Sequence, residues 1–181
     1  MMRASIEHPR YYRESEIKLK KVQSKYSKCK QLPRNNPKKI KLKKNLVNLH
    51  CKVKNKRKDF LHKLSRRIVK ENSVICVEKL NIKGMLEDNW RVLNKSILDG
   101  GWYDFRMKLR YKSVEEGSKI IEVDPKNTTA TCSNCGIVKH KELGERIHSC
   151  QCGLKIGRDV NAAINILRVG MDSLSLNTLN A

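Results

Sequence analysis

The sequence has few acidic residues relative to its basic ones. Lys and Arg total 40 against 18 Asp and Glu, which gives a formal net charge of +22 at pH 7. Because so large an excess of one charge repels itself, we expect the chain to act beside a polyanion that neutralises it. Nucleic acid is the first candidate, although ribosomal proteins and proteins on anionic membranes share this balance. The charge therefore indicates the sign of the partner and says nothing about catalysis.

Long apolar segments are missing as well. No run of 18 or more apolar residues occurs, which argues against a membrane-spanning helix. The N-terminal residues include no apolar segment of the kind that forms a secretory signal, and no internal repeat is visible. We therefore expect one ordinary domain, with or without an inserted module, in a soluble intracellular protein.

The seven cysteines are distributed unevenly along the chain. Four of them form two Gly-terminated pairs with 14 residues between the pairs: Cys132, Cys135, Cys150 and Cys152. This spacing lets four thiolates converge on one tetrahedral zinc ion, and four protein ligands leave no open position, which predicts a structural zinc. The second pair is one residue shorter than usual, so His140 and His148 are considered as substitute ligands.

The first part of the chain predicts two basic helices. A helical segment from Arg13 to Gln31 is broken by LPRNNP, and a second helix of roughly nine turns follows. Its apolar stripe consists of Leu42, Leu46, Leu49, Val53, Phe60, Leu64 and Ile68. Between Pro37 and Glu71 there are 14 Lys or Arg and two acidic residues, so the other faces are positive. We predict an antiparallel hairpin whose basic faces either contact a phosphate backbone or are simply solvated.

Short apolar runs alternate with helices in the rest of the chain. Val74–Val77 and the segment KIIEVDP predict strands buried on both faces. Trp102–Glu116 predicts an amphipathic helix stopped by Gly117, and DVNAAINILRV predicts a last helix that begins at Asp159. Strands that alternate with helices indicate an α/β fold with parallel pairing.

Two carboxylates stand at the ends of predicted elements. Glu78 lies at the C-terminal end of the first strand, and Asp159 lies at the start of the last helix. Hydrolysis of a phosphodiester by two Mg²⁺ ions needs several carboxylates from separate elements. Each residue also has an ordinary interpretation, Glu78 as a strand-end Glu facing water and Asp159 as a helix N-cap. Asp124 is a further candidate, with turn formation before Pro125 as its alternative.

A family resemblance is strongest near the C-terminus. The two cysteine pairs and the following Arg158-Asp159-Val160-Asn161-Ala162-Ala163-Ile164-Asn165-Ile166 closely resemble the end of the OrfB (TnpB-like) proteins of prokaryotic insertion sequences. Further segments resemble the same family in the same order, namely DFLHKLS, the strand from Val74 into NIKGM, and Gly101 through Lys112. These proteins are RNA-guided DNA nucleases, are often called transposases, and are related to the type V CRISPR nucleases.

The resemblance implies a RuvC-like, ribonuclease H-type site in which Glu78 is the second carboxylate and Asp159 the third. It implies zinc on the four cysteines, Mg²⁺ once the nuclease site is complete, DNA and a guide RNA as partners, and a cytoplasmic location at the nucleoid. The implied domains are a basic helical hairpin of the nuclease domain at 1–72, a partial RuvC-like domain at 73–128 and 157–170, a zinc ribbon at 129–156 and a tail at 171–181.

One part of the family pattern has no counterpart. Family members carry a nucleic-acid-binding region and then a strand with the first catalytic Asp, in a Gly-x-Asp-x-Gly-like setting, before the hairpin. No Asp occurs in residues 1–58 of this sequence. We therefore expect a truncated nuclease that does not cleave by itself. One alternative is a nonenzymatic nucleic-acid-binding module made of the hairpin and the ribbon. The other is a site completed by an upstream piece that is encoded separately or lost through a misread start.

Overall fold

The computed structural model describes residues 6–87, 91–139, 142 and 144–179. In chain order its elements are α1 (Tyr11–Lys28), α2 (Pro37–Glu71), β1 (Val74–Glu78), α3 (Ile82–Glu87), α4 (Arg91–Gly100), α5 (Trp102–Glu116), β2 (Lys119–Val123), β3 (Ile147–Ser149), β4 (Lys155–Gly157) and α6 (Arg158–Leu179). The predicted mixture of helices and strands is confirmed. Within these described residues, no helix has the length and apolar character needed to cross a membrane.

The chain divides into two compact units. The helical unit comprises Ile6–Arg67 and Ile82–Lys108, and the sheet unit comprises Ile68–Asn81 and the chain from Leu109 onward. The helical unit therefore contains α1, α3, α4 and most of α2. The sheet unit contains the four strands and α6.

Helix α2 starts at a strong local signal in the sequence. Asn36 Oδ1 accepts hydrogen bonds from the backbone nitrogens of Lys38 and Lys39, at 3.0 and 3.4 Å. Pro37 occupies the first helical position, where an N–H group would have no partner within the helix. The Asn-Pro sequence in the predicted turn therefore both ends the connection and caps the long helix.

Helices α1 and α2 run antiparallel. At the turn, Lys39 Nζ of α2 donates to the carbonyl oxygens of Lys30 and Leu32, at 2.9 and 2.6 Å. At the other end of the pair, Tyr11 at the start of α1 meets Phe60 far along α2, with ring centroids 6.3 Å apart. The predicted apolar stripe of α2 is confirmed, because all seven of its residues are buried or half-buried.

A buried carboxylate joins three helices of the helical unit. Asp99 of α4 is 5% exposed, and its two side-chain oxygens accept hydrogen bonds from the backbone nitrogen of Tyr12 at 3.3 and 3.2 Å. Arg10, which precedes α1, makes no side-chain cap. Arg57 of α2 approaches Asp99 to 3.8 Å and donates to the carbonyl of Leu98 at 3.0 Å. Because the first N–H groups of a helix lack helical partners, Asp99 caps α1 from another helix.

We predict that Asp99→Ala lowers the free energy of unfolding by about 2–4 kcal/mol, because it uncaps α1 and removes the partner of Arg57. Urea denaturation followed by circular dichroism measures the change. The matched control is Asp59→Ala, which removes an exposed carboxylate 2.8 Å from Lys63 on the surface of α2 and should leave stability unchanged. Equal stability of the Asp99→Ala protein and the wild type would contradict this role for Asp99.

The sheet unit contains a parallel pair of strands. Strand β1 pairs with β2 in register from Val74 opposite Lys119 to Glu78 opposite Val123, so the predicted parallel pairing is confirmed. Among the described residues this sheet has two strands, and each has one unpaired edge. The prediction of strands buried on both faces is wrong, since only Ile75 and Val123 are buried and the other strand residues are half-buried or exposed. Each strand of a two-stranded sheet has a neighbouring strand on one side only, so solvent reaches most of its residues.

Helix α6 packs closely on this pair of strands. A Cβ atom at Gly170 would collide with the side chain of Cys76 in β1 and would lie 3.4 Å from Val123 Cγ2 in β2. Ile166 and Ala162, one and two turns earlier on the same face, are 8% and 5% exposed. Gly170 therefore permits a contact between helix and sheet that any side chain would prevent. The helix also continues to Leu179, so most of the segment interpreted as a tail at 171–181 is helical.

Candidate metal centre and carboxylate pair

Two tight turns present the four predicted cysteine ligands. In the first knuckle (Cys132–Gly136), the backbone nitrogen of Gly136 donates to the carbonyl of Cys132 at 3.0 Å. In the second knuckle (Cys150–Gly153), the nitrogen of Gly153 donates to the carbonyl of Cys150 at 3.1 Å. Gly136 and Gly153 have φ values of 78° and 87°, which side-chain-bearing residues rarely adopt. The antiparallel strands β3 and β4 carry the second knuckle in the connection between them.

The four sulfur atoms form a compact cluster. Cys132 Sγ lies 3.7 Å from Cys152 Sγ, and Cys135 Sγ lies 3.5 Å from Cys150 Sγ. All four lie within 4.8 Å of one another. These separations are too long for disulfides, and a tetrahedral site with Zn–S bonds of about 2.3 Å has sulfur–sulfur edges of about 3.8 Å. The cluster therefore has the dimensions to hold one metal ion.

The predicted substitute histidine ligands have different outcomes. His148 is fully buried in β3 and does not belong to the group of metal-binding side chains found in the described part of the chain. His140 lies outside the described residues. The shorter second pair therefore needs no substitute, because both Cys150 and Cys152 reach the cluster.

The environment of the cluster favours a thiolate at one position. Asn134 Nδ2 lies 3.5 Å from Cys152 Sγ. This hydrogen bond, together with one from the backbone nitrogen of Leu154, lowers the pKa of Cys152 to about 6. Since metals bind the thiolate, this shift favours binding through Cys152, whereas burial and the neighbouring thiols raise the pKa of Cys135 to about 12. Asn134 had not been singled out from the sequence, although its position inside the first knuckle could have identified it.

The structure brings the two predicted carboxylates into electrostatic contact. Glu78 ends β1 and is half-buried, and Asp159 is an exposed residue in the first turn of α6, which packs against β1. Burial, and then the charge of Asp159, raise the pKa of Glu78 above the usual carboxyl value. Glu78 is therefore not a strand-end residue turned freely to water. Asp159 lies within the helix, after Arg158, rather than at the N-cap.

Other acidic groups do not complete the pair. Asp124 is exposed and accepts a hydrogen bond from the backbone nitrogen of Lys126 at 2.9 Å, as its turn-forming interpretation predicted. Over the residues that the structure describes, the four cysteines are the one compact group of three or more potential metal ligands. No third carboxylate therefore joins Glu78 and Asp159 in this part of the chain.

Helix α6 also holds the first knuckle through three side chains that the sequence had not assigned to this task. We call Asn161, Asn165 and Arg168 the α6 clamp. The two asparagines are 0% and 5% exposed. Amides in a helix interior are unfavourable unless they have partners, so their separation of one helical turn was a usable signal.

Two family models match separate parts of the chain. One, described as "Probable transposase", matches residues 2–89, and the other, described as "Cas12f1-like, TNB domain", matches residues 102–166. A protein of Streptomyces pristinaespiralis, provisionally named an RNA-guided DNA endonuclease, is 32% identical over 92% of this chain. "TnpB-like protein L79" of Acanthamoeba polyphaga mimivirus is 38% identical over 76% of this chain. The chain belongs to the OrfB (TnpB-like) family.

The relatives in the OrfB family are considerably longer. The chain spans 40% of the Streptomyces protein and 27% of the mimivirus protein. A solved structure with a similar fold is the cryo-EM structure of a Cas12f1–sgRNA–target DNA complex, with a TM-score of 0.53 and 23% identity, covering 86% of this chain and 42% of that one. At this identity, the likeness concerns the fold alone.

We predict that Asp159→Asn lowers the pKa of Glu78, because one of the two causes that raise it is removed while burial remains. In the wild type, the pKa of Glu78 is higher in the folded than in the unfolded chain. The free energy of unfolding therefore decreases as pH rises from the usual carboxyl pKa through the raised one. The carboxyl ¹³C shift of Glu78, followed against pH, measures the pKa, and urea denaturation at several pH values measures the stability. Asp124→Asn, at the end of the neighbouring strand, is the control. An unchanged Glu78 titration in Asp159→Asn would contradict the prediction.

Proposed function

We propose that this chain provides the C-terminal catalytic and zinc-binding part of an RNA-guided, RuvC-like DNA endonuclease of the OrfB family. The observation that carries this proposal is the packing of α6, whose first turn bears Asp159, against β1, which ends at Glu78. In this assignment Glu78 is the second carboxylate of the nuclease site and Asp159 the third. The name of the Streptomyces relative supports the reaction class.

The proposed domain organisation follows the same assignment. The basic hairpin at 1–72 belongs to the nuclease domain, a partial RuvC-like domain occupies 73–128 and 157–170, and the zinc ribbon occupies 129–156. The close packing of α6 on β1 and β2 supports the grouping of 157–170 with the strands, although they are separated in sequence by the ribbon.

Magnesium is the expected ion for the carboxylate pair. Mg²⁺ prefers oxygen ligands and is commonly held by one or two carboxylates together with substrate phosphates. When bound, it would activate the attacking water and stabilise the leaving oxygen of the phosphodiester. Glu78 and Asp159 would hold it in their ionised forms. Because the pKa of Glu78 is raised, protons compete with the metal, and affinity should increase as the pH rises.

Binding of nucleic acid is proposed for the basic faces of α2. Its exposed cations include Lys43, Lys44, Lys54 and Lys58, on faces away from the apolar stripe. Cations along a long helix can contact successive phosphates and release bound counterions, which makes binding strongly dependent on salt. DNA, and a guide RNA in the assembled enzyme, are the proposed partners.

A nonenzymatic binding module is the second candidate function. The observation in its favour is that no third carboxylate joins the pair within the described residues. Both candidates therefore predict that this chain by itself binds DNA without cutting it. They differ in whether supplying a further carboxylate, for example on a peptide or protein piece that completes the site, produces cleavage.

The first test uses labelled single-stranded and duplex DNA with the zinc-loaded chain, Mg²⁺, and the variants Glu78→Gln and Asp159→Asn. We expect binding by all three proteins and cutting by none. The salt dependence of binding tests the basic faces of α2. The double variant Lys54→Ala with Lys58→Ala should reduce the slope of log affinity against log salt by about 2, or by less for single strands. The matched control, Lys119→Ala with Lys126→Ala in the sheet unit, should leave this slope unchanged. Cutting that both carboxylate substitutions abolish would show a complete site in this chain, and absence of binding at low salt would contradict the proposed function.

We assign zinc to the cysteine cluster, where it would join the two knuckles. Cys135→Ala should reduce bound zinc from one ion per chain to well below one, because three thiolates bind it less tightly. Metal analysis of the purified proteins measures this. Cys51→Ala, which removes an exposed cysteine on α2, is the matched control and should retain one zinc. Full zinc content in Cys135→Ala would contradict the assignment.

A further inference from the structure

The α6 clamp forms hydrogen bonds with the residues immediately before and after Cys132 of the metal cluster. Asn161 Nδ2 and Asn165 Nδ2 each donate to the carbonyl of Thr131 at 2.7 Å, immediately before Cys132. The backbone nitrogen of Ser133, immediately after Cys132, donates to Asn161 Oδ1 at 2.9 Å.

Two further hydrogen bonds extend the grip of the clamp. Asn165 Nδ2 donates to the carbonyl of Thr128 at 2.9 Å, and Arg168 Nη2 donates to the carbonyl of Ser133 at 2.6 Å. Thr128 and Ser133 are themselves 5% and 8% exposed. Because buried polar groups lose much free energy when a partner is withdrawn, these bonds hold the segment Thr128–Ser133 and α6 in one relative position.

The same helix carries the carboxylate of the proposed nuclease site. Asp159 lies half a turn before Asn161 on α6, and α6 packs on β1, the strand that ends at Glu78. The start of α6 has one more tie to the ribbon, since the backbone nitrogen of Arg158 donates to the carbonyl of Arg146 at 2.8 Å. A displacement of the first knuckle is therefore transmitted to the turn that bears Asp159.

We infer that Asn161, Asn165 and Arg168 are positioning residues through which metal binding at the four cysteines sets the position of Asp159 beside Glu78. The consequence of this coupling for catalysis rests on the proposed function, whereas the coupling between metal binding and the position of Asp159 does not. An ion bound by Cys132 fixes the backbone of the first knuckle, and the clamp transfers that constraint to about the first three turns of α6. Coupling between two sites is reciprocal. If metal binding favours the ordered position of α6 by a given factor, displacing α6 weakens metal binding by that same factor.

The test compares wild type with Asn165→Ala. Asn165 is six positions from Asp159, and its side chain donates hydrogen bonds to the carbonyls of Thr128 and Thr131 rather than to a proposed metal ligand. Zinc affinity is measured by competition with a chromogenic chelator. Order in α6 is measured by hydrogen exchange of peptides covering 160–167 and by the backbone NMR signal of Asp159. Neither measurement requires Mg²⁺ or DNA, so failure of the proposed nuclease function leaves the result unaffected.

We expect removal of zinc from the wild type to accelerate exchange in 160–167 and to move the Asp159 signal. Zinc-loaded Asn165→Ala should already show both changes and should bind zinc about 10–100-fold more weakly. Asn72→Ala is the matched control, because Asn72 also donates a side-chain hydrogen bond to a backbone carbonyl, that of Ile68 at 2.8 Å, but lies outside the clamp. It should behave as the wild type.

Arg168→Met provides a second variant, which keeps an apolar stem and removes the charged guanidinium together with its hydrogen bond to Ser133. It should change zinc affinity and exchange in the same direction as Asn165→Ala but by a smaller factor, and it decides the question if Asn165→Ala does not fold. Wild-type exchange that is insensitive to zinc would overturn the inference. So would folded variants that bind zinc with wild-type affinity.

Discussion

The close packing of α6 is the constraint on which both candidate sites depend. One side of the helix meets β1 and β2, where Gly170 leaves room for Cys76, and another side holds the first knuckle through buried asparagines. Neither contact tolerates much adjustment, because the first lacks space for a methyl group and the second consists of short hydrogen bonds with fixed directions. The cysteine cluster and the carboxylate pair are thus built on opposite sides of a shared support, although their residues are scattered over half of the sequence.

The features that could be predicted from the sequence are those that local spacing determines. The two cysteine pairs converge as their spacing indicated, the apolar stripe of α2 is buried, and α5 ends at Glu116 before Gly117, which has a φ of 72°. In each case the decisive residues are close together in the chain, and a helical period or a turn requirement is enough to place them. The family assignment succeeded for the same reason, since short ordered segments carried the resemblance.

Contacts between distant segments could not be predicted in this way. Asp99 caps α1 from a helix about 90 residues away, and nothing in the spacing of either helix shows which carboxylate meets which helix start. The burial of the strands was overestimated because apolar composition does not reveal how many neighbours a strand has. Glu78 and Asp159 were selected as residues at the ends of elements, but their proximity depends on how α6 crosses the sheet, and that crossing depends on Gly170.

The space at Gly170 also determines the rotational setting of α6. Successive residues of a helix are about 100° apart around its axis, so Asp159, about three turns before Gly170, lies on nearly the same side of the helix. Because Gly170 must face Cys76, the direction in which Asp159 projects from the helix axis is fixed as well. Inserting or deleting a single residue between them would rotate Asp159 by roughly a quarter of a circle while leaving the helix itself intact. The length of this segment is therefore under a stricter geometric requirement than its composition.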